Sequence, residues 1–147
     1  LSMARHQSVA AAYIIFEKAG EYLLSRRQNT ERFNGEFSLP AGHVDSGESV
    51  VLGAVREAKE EVGLVVKPED LKLVHILDRN APDFHRLDFF FHCTEWEGEA
   101  VNCEPEKCSE LKWVSKAEVK NEVAEYLKQV FEKIEEPGTF YSEQDWS

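Results

Sequence analysis

Residues 42–64 read GHVDSGESVVLGAVREAKEEVGL, and their spacing decides how the rest of the chain is read. Within them, 49–62 is expected to be a helix, because Val51, Leu52, Val55, Ala58 and Val62 recur at three- and four-residue steps and form an apolar stripe. No proline interrupts it, and Gly63 stands where a helix would stop. Glu57, Glu60 and Glu61 lie three and four residues apart, so their carboxylates share one helical face. Like charges at that spacing repel unless a cation sits between them, and hard divalent cations such as Mg²⁺ prefer carboxylate oxygens completed by phosphates. Helix physics alone leaves a second reading open: a solvated Glu-rich face in which Arg56 and Glu60 form an ordinary ion pair. The approach to the helix is turn-rich, with Gly42, Asp45, Ser46 and Gly47 preceding Glu48, and a strand-like segment at 37–40 leads into it.

Gly42, Glu48, Arg56-Glu57-Ala58, Glu60-Glu61 and Gly63-Leu64 resemble the Nudix box, G-x5-E-x7-R-E-U-x-E-E-x-G-U with U a bulky aliphatic. Every charged and glycine position agrees, and Ala58 at an aliphatic position is the one departure. The flanking pattern, including the Leu39-Pro40-Ala41-Gly42 entry, is similar to a small MutT-type Nudix domain over most of the chain. That resemblance implies an α/β fold, an α/β/α sandwich with a mixed sheet and the box as a loop–helix–loop. It implies Glu57, Glu60 and Glu61 as catalytic metal ligands for Mg²⁺, with Mn²⁺ as a substitute, and the Gly42 carbonyl as a further ligand. Glu48 and Arg56 fall at positions that support the loop and helix through ion pairing. Some family members take a general base from a downstream loop. Glu104 and Glu106 lie in such a loop, with Glu106 slightly favoured here; solvated loop charges are the other reading of both.

The activity implied is a Mg²⁺-dependent pyrophosphohydrolase acting on a nucleoside triphosphate, oxidised or non-standard ones included, to give a nucleoside monophosphate and pyrophosphate. The runner-up is a pyrophosphatase of ADP-ribose or another nucleotide sugar, a branch often carrying a proline downstream of the box, where Pro82 stands. From a different class comes a non-catalytic Nudix domain that senses a nucleotide; the intact Glu57, Glu60 and Glu61 set argues against it. An EF-hand is excluded because residues 45–48 lack regular oxygen-ligand spacing. An acidic interaction protein has only the aromatic tail in its favour.

The 147 residues, 42% hydrophobic and 11% aromatic, fit one globular domain with a core of its own. A formal net charge of −11 argues against a nucleic-acid polymer as partner, but not against a small phosphorylated molecule, since bound metal reverses the local sign. No apolar run is long enough to span a membrane, and no signal peptide is read at the N-terminus. Cys93, Cys103 and Cys108 contain no CxxC pair, which suggests reduced thiols and a cytoplasmic protein; with His92 they match no zinc-finger or ribbon spacing. Residues 1–7 are expected to be a flexible N-terminus, with Leu1-Ser2 ahead of Met3 as an expression remnant. Residues 8–136 would form the single domain and 137–147 a tail. The partner is a small-molecule nucleotide, and the chain is expected as a monomer or homodimer.

Working outward from the box, 9–16 (VAAAYIIF) reads as a doubly buried strand and 21–27 as its hairpin partner. Arg26 and Arg27 at its end are candidates to meet substrate phosphate, a solvated strand end being the other reading. A polar loop follows at 28–36, and Phe33 and Phe37 read as core. Strands are expected at 65–66, 71–77, 85–96 and 110–114, with 78–83 as a loop. Ser115 with Glu118 has capping-box spacing, and Val123, Tyr126, Leu127, Val130, Phe131 and Ile134 trace one amphipathic helix. The tail beyond Pro137-Gly138 reads as loose, with docking of Phe140, Tyr141 and Trp146 as the alternative. His43, His75, His85 and His92 receive no role.

Overall fold

A computed structural model describes residues 5–30, 32–138 and 140–146; the expected remnant at Leu1, Ser2 and Met3 lies outside them. Strand β1, Ser8–Lys18, is the spine. It turns at Ala19 and Gly20, both at positive φ, into β2, Glu21–Arg27. Short strands β3, Phe37–Ser38, and β4, Ala41–His43, precede the box helix α1, Val50–Val62. A 3-10 turn at Pro68–Asp70 leads to β5, Lys72–Asn80, and β6, His85–Cys93. β7, Cys108–Ser115, then α2, Val119–Glu122, α3, Glu125–Lys133, and β8, Tyr141–Gln144, complete the chain. The sheet runs β3-β2-β1-β6-β5-β8, with β4 also on β1 and β7 on β2. β1 and β6 pair in parallel, as do β5 and β8, while the other pairs are antiparallel, so the sheet is mixed.

Alternation along β1 divides the core in two. Ala12, Ile14 and Phe16 face α1 and pack with Ala54, Ala58 and Val62. Tyr13 and Ile15 face the other way and pack with Leu127, Val130 and Phe131 of α3. This is the three-layer α/β/α arrangement expected. The small Ala58 is fully buried against the sheet and fits at the aliphatic position where the box departs from its pattern.

The helix ends follow the sequence closely. Ser49 Oγ accepts the Leu52 N–H at 3.1 Å as N-cap. Gly63 closes α1 at φ +70°, its N–H donating to the Lys59 carbonyl and the Leu64 N–H to that of Ala58, both at 3.2 Å. Gly63→Ala is expected to cost about 1 kcal/mol in chemical denaturation, because an L side chain is strained at that φ, and Gly63→Asn less.

Several expectations are corrected. Val65 makes only an isolated bridge with Glu97, not a strand. β5 continues through Asn80, because it pairs with β6 along its length, so 78–80 is strand rather than loop. Ser115 closes β7 and forms no capping box; Glu118 is the N-cap of α2. The expected single C-terminal helix is broken at Val123 and Ala124, where Val123 bridges Phe37 and the Ala124 N–H donates to the Phe37 carbonyl at 2.9 Å. The tail docks: β8 extends the sheet, Tyr141 donates to Asp78 Oδ2 at 2.7 Å and Trp146 Nε1 donates to the Asp78 carbonyl at 3.0 Å. No helix among the described residues is long and apolar enough to cross a membrane.

Candidate active site

A helix face, a strand and a loop converge on a cavity of about 650 Å³. α1 supplies Glu57, Glu60 and Glu61, β4 supplies Gly42, and the loop before β7 supplies Glu104. The helical spacing does what it promised, presenting the three carboxylates on one face.

Arg56 organises the box. Its Nη2 donates to Glu48 Oε1 at 2.8 Å and to the His43 carbonyl at 3.0 Å. Its Nη1 donates to Glu57 Oε1 at 2.8 Å and Glu60 Oε2 at 3.0 Å. Glu48 also accepts the Asp45 N–H at 2.8 Å, which fixes the entry loop to the helix. Arg56 holds the Glu48 carboxyl below its usual range, and Glu48 in turn raises the Arg56 guanidinium.

Glu61 is the most perturbed acid. Its Oε2 accepts the Ala41 N–H at 2.8 Å. Burial, then the nearby Glu57 carboxylate, push its pKa up to about 8; Glu104 adds to this, against the lowering from Ala41 and Arg27. Burial also raises Glu57, with Glu60 and Glu104 adding to the shift and Arg56 opposing it. The Glu57 carboxyl lies where a side chain on Gly42 would have to sit, so only glycine allows this approach. Among the described residues no three carboxylate, imidazole or thiolate groups stand at ligand spacing, because Arg56 bridges Glu57 and Glu60 while Glu61 is turned to Ala41.

The other expected residues divide. Glu104 lines the cavity and acts electrostatically on both Glu57 and Glu61, whereas Glu106 is not part of the wall. The loop sets this: Asn102 Oδ1 accepts the Glu104 N–H at 3.2 Å, and the Glu104 carbonyl accepts from Lys107 and Cys108 at 2.9 Å. Of the two, Glu104 is therefore the one the fold brings to the cavity. Arg27 lines the cavity. Arg26 is not part of the wall; it pairs with Glu110 at 3.1 Å and stacks on Phe37 at 4.7 Å. Phe33, at φ +62°, both packs on the core and walls the cavity, with its ring 4.8 Å from Tyr126. Of the histidines, His43 lines the cavity, while His85 pairs with Asp78, His92 with Glu17 and His75 with Ser142. Lys107, Arg79 and Arg86 also line the cavity. None of the three carried a sequence signal, since isolated basic residues in a strand or loop are ordinary.

A family model described as NUDIX domain matches residues 5–134. An ADP-ribose pyrophosphatase of Methanocaldococcus jannaschii is 41% identical over 58% of this chain and 50% of its own length. An 8-oxo-dGTP diphosphatase of Escherichia coli is 32% identical over 60% of this chain and 67% of its own. The chain thus aligns with about half the length of the first of these relatives. The crystal structure of a MutT NUDIX hydrolase from Burkholderia pseudomallei superposes with a TM-score of 0.78 at 22% identity, covering 86% of this chain and 98% of that one, which shows the shared fold.

Proposed function

The chain belongs to the NUDIX family, and from that premise we propose that it is a divalent-metal-dependent pyrophosphohydrolase with residues 8–136 as its catalytic unit. Its substrate is a nucleoside triphosphate, an oxidised or non-standard one included, cleaved to the monophosphate and pyrophosphate. The observation that carries this reading is the convergence of Glu57, Glu61 and Glu104 on a cavity that Arg27 and Lys107 also wall.

The donor set fits a hard cation. Carboxylates that raise one another's pKa in a half-buried cradle are stabilised when a cation enters among them, and the missing side chain of Gly42 is what lets the Glu57 carboxyl sit in that cradle. Glu57, Glu60 and Glu61 would hold Mg²⁺, or Mn²⁺ in its place, with the Gly42 carbonyl as a further oxygen. When bound, the cation neutralises phosphate oxygens and lowers the pKa of the attacking water. The chain does the rest. Arg27 and Lys107 bind phosphate oxygens. The Glu104 carboxylate takes the proton of the water as its oxygen bonds to phosphorus and the bridging P–O bond breaks, the electron pair leaving on pyrophosphate. Glu48 keeps Arg56 against the entry loop and so keeps the glutamate face in register with Gly42.

The 41%-identical relative supports a second reading, in which the cleaved molecule is ADP-ribose or a nucleotide sugar. A panel of nucleoside triphosphates, oxidised deoxynucleotides, ADP-ribose and nucleotide sugars, assayed with Mg²⁺ for the nucleoside monophosphate and for the pyrophosphate or sugar phosphate released with it, separates the two. Binding without turnover across the panel would instead favour a sensor. Gly42→Ala is expected to lower kcat about tenfold to 100-fold with little change in Tm, because it displaces the Glu57 carboxyl rather than the fold. An unchanged kcat would remove Glu57 from the reacting centre.

A further inference from the structure

Arg79 of β5 and Arg86 of β6 are direct cross-strand partners, and both line the cavity. Like charges directly opposed on a sheet are destabilising, so their juxtaposition calls for anions. One is built in. Asp88, wholly buried, accepts from Arg79 Nε and Nη2 at 3.1 Å through Oδ2, and Arg79 lies 4.4 Å above the Tyr126 ring. Arg79 is therefore fixed. Arg86 is held more loosely: its carboxylate partner is Asp83, at 3.0 Å, in the connection between β5 and β6 and 37% exposed. Among the described residues, Arg86 Nε and Asp88 Oδ1 are buried without a hydrogen-bond partner. Arg86 stacks on Phe84 at 4.4 Å, and Phe84 meets His43, the neighbour of Gly42, edge-on at 6.1 Å. Arg86 thus lines the same cavity as the glutamates, with its Nε buried, and is linked through Phe84 to the strand that cradles Glu57.

We propose that Arg86, with Arg79 as a fixed second charge behind it, forms a subsite for the phosphate that a nucleoside triphosphate carries beyond the diphosphate unit common to all candidate substrates; this rests on the hydrolase reading above. A planar guanidinium grips phosphate oxygens through parallel bonds from its terminal nitrogens, and a phosphate replaces the exposed Asp83 on Nη2 at little cost. A nucleoside diphosphate joined to a neutral sugar has no group for this subsite. The two arginines therefore select for the triphosphate.

The test has a kinetic and a binding arm. In the first, Arg86→Gln and Arg86→Lys are assayed on a nucleoside triphosphate and on ADP-ribose with Mg²⁺. In Arg86→Gln the ratio of the two kcat/KM values is expected to shift about tenfold against the triphosphate, mainly through KM, with partial recovery in Arg86→Lys, which keeps charge but loses the fork. In the second, calorimetry compares inorganic tripolyphosphate with inorganic pyrophosphate, both with Mg²⁺. The wild type is expected to prefer tripolyphosphate, and Arg86→Gln to lose that preference. Equal decline on both substrates, or a tripolyphosphate preference that survives Arg86→Gln, overturns the subsite. If nothing on the panel is hydrolysed, the hydrolase reading fails while the calorimetric arm still decides the subsite.

Discussion

Glu61→Gln is expected to reduce hydrolysis roughly 10²- to 10⁴-fold while making the chelator-treated protein more stable at pH 8. The loss follows from removing a charged oxygen donor from the centre of the glutamate face. The gain follows from the cost of that charge when no cation balances it. Burial and the Glu57 and Glu104 carboxylates raise the Glu61 pKa to about 8 in the metal-free chain, well above its value in an unfolded one. A carboxyl whose pKa is raised by folding binds its proton more tightly in the native state. Its contribution to stability is present at low pH and is lost as pH rises from the usual carboxylate range through about 8. The chelated wild type should therefore weaken over that window by on the order of 2–4 kcal/mol, and the variant should weaken much less. Added Mg²⁺ should restore the wild type and barely move Glu61→Gln. Denaturation at pH 5 and pH 8, with chelator or Mg²⁺, reads all four states. An activity loss accompanied by lower stability in chelator would mean that Glu61 is a structural residue.

The contrast between α1 and its surroundings explains how much of this was legible in the sequence. α1 is written locally: Ser49, the apolar stripe and Gly63 fix its ends, and i, i+3 and i, i+4 spacing alone aligns Glu57, Glu60 and Glu61. The break between α2 and α3 is set by a hydrogen bond to Phe37, far away in the chain, and no local pattern announces it. The choice of Glu104 over Glu106 depends on a turn closed by Asn102, a signal that the Asn-x-Glu spacing does carry, since Asn side chains bond the backbone two residues on. The end of β5 was obscured by the loop-forming residues Asn80, Pro82 and Asp83, though pairing with β6 keeps 78–80 extended. Arg79 and Arg86 are ordinary until the strand register is known; only that register opposes them.

The same register makes Asp88 the most consequential residue outside the glutamate face. Asp88→Asn is expected to destabilise the fold by about 3–5 kcal/mol, because it leaves the Arg79 guanidinium, 4% exposed, without its carboxylate. Arg86, directly across from Arg79, adds a second positive charge to the same place. Arginine cannot shed its proton, so nothing at this place titrates in the variant between pH 5 and pH 8, whereas the wild type loses some stability as pH rises through the Asp88 value of about 6. Arg79→Met behaves differently, because the charge it strands can be neutralised. Burial already pushes the Asp88 carboxyl up to about 6 with both arginines present, and removing Arg79 removes the largest opposing influence. A further raised pKa means that the stranded Asp88 is protonated and tolerated at pH 5, and is costly as pH rises through its folded value. Arg79→Met should therefore be milder than Asp88→Asn at pH 5 and approach it at pH 8. The double variant Arg79→Met/Asp88→Leu, which replaces the pair by apolar groups, should recover most of the loss, and the cycle of single and double variants measures the coupling. Equal pH dependence in the two single variants would show that Asp88 is not the group titrating beside Arg79.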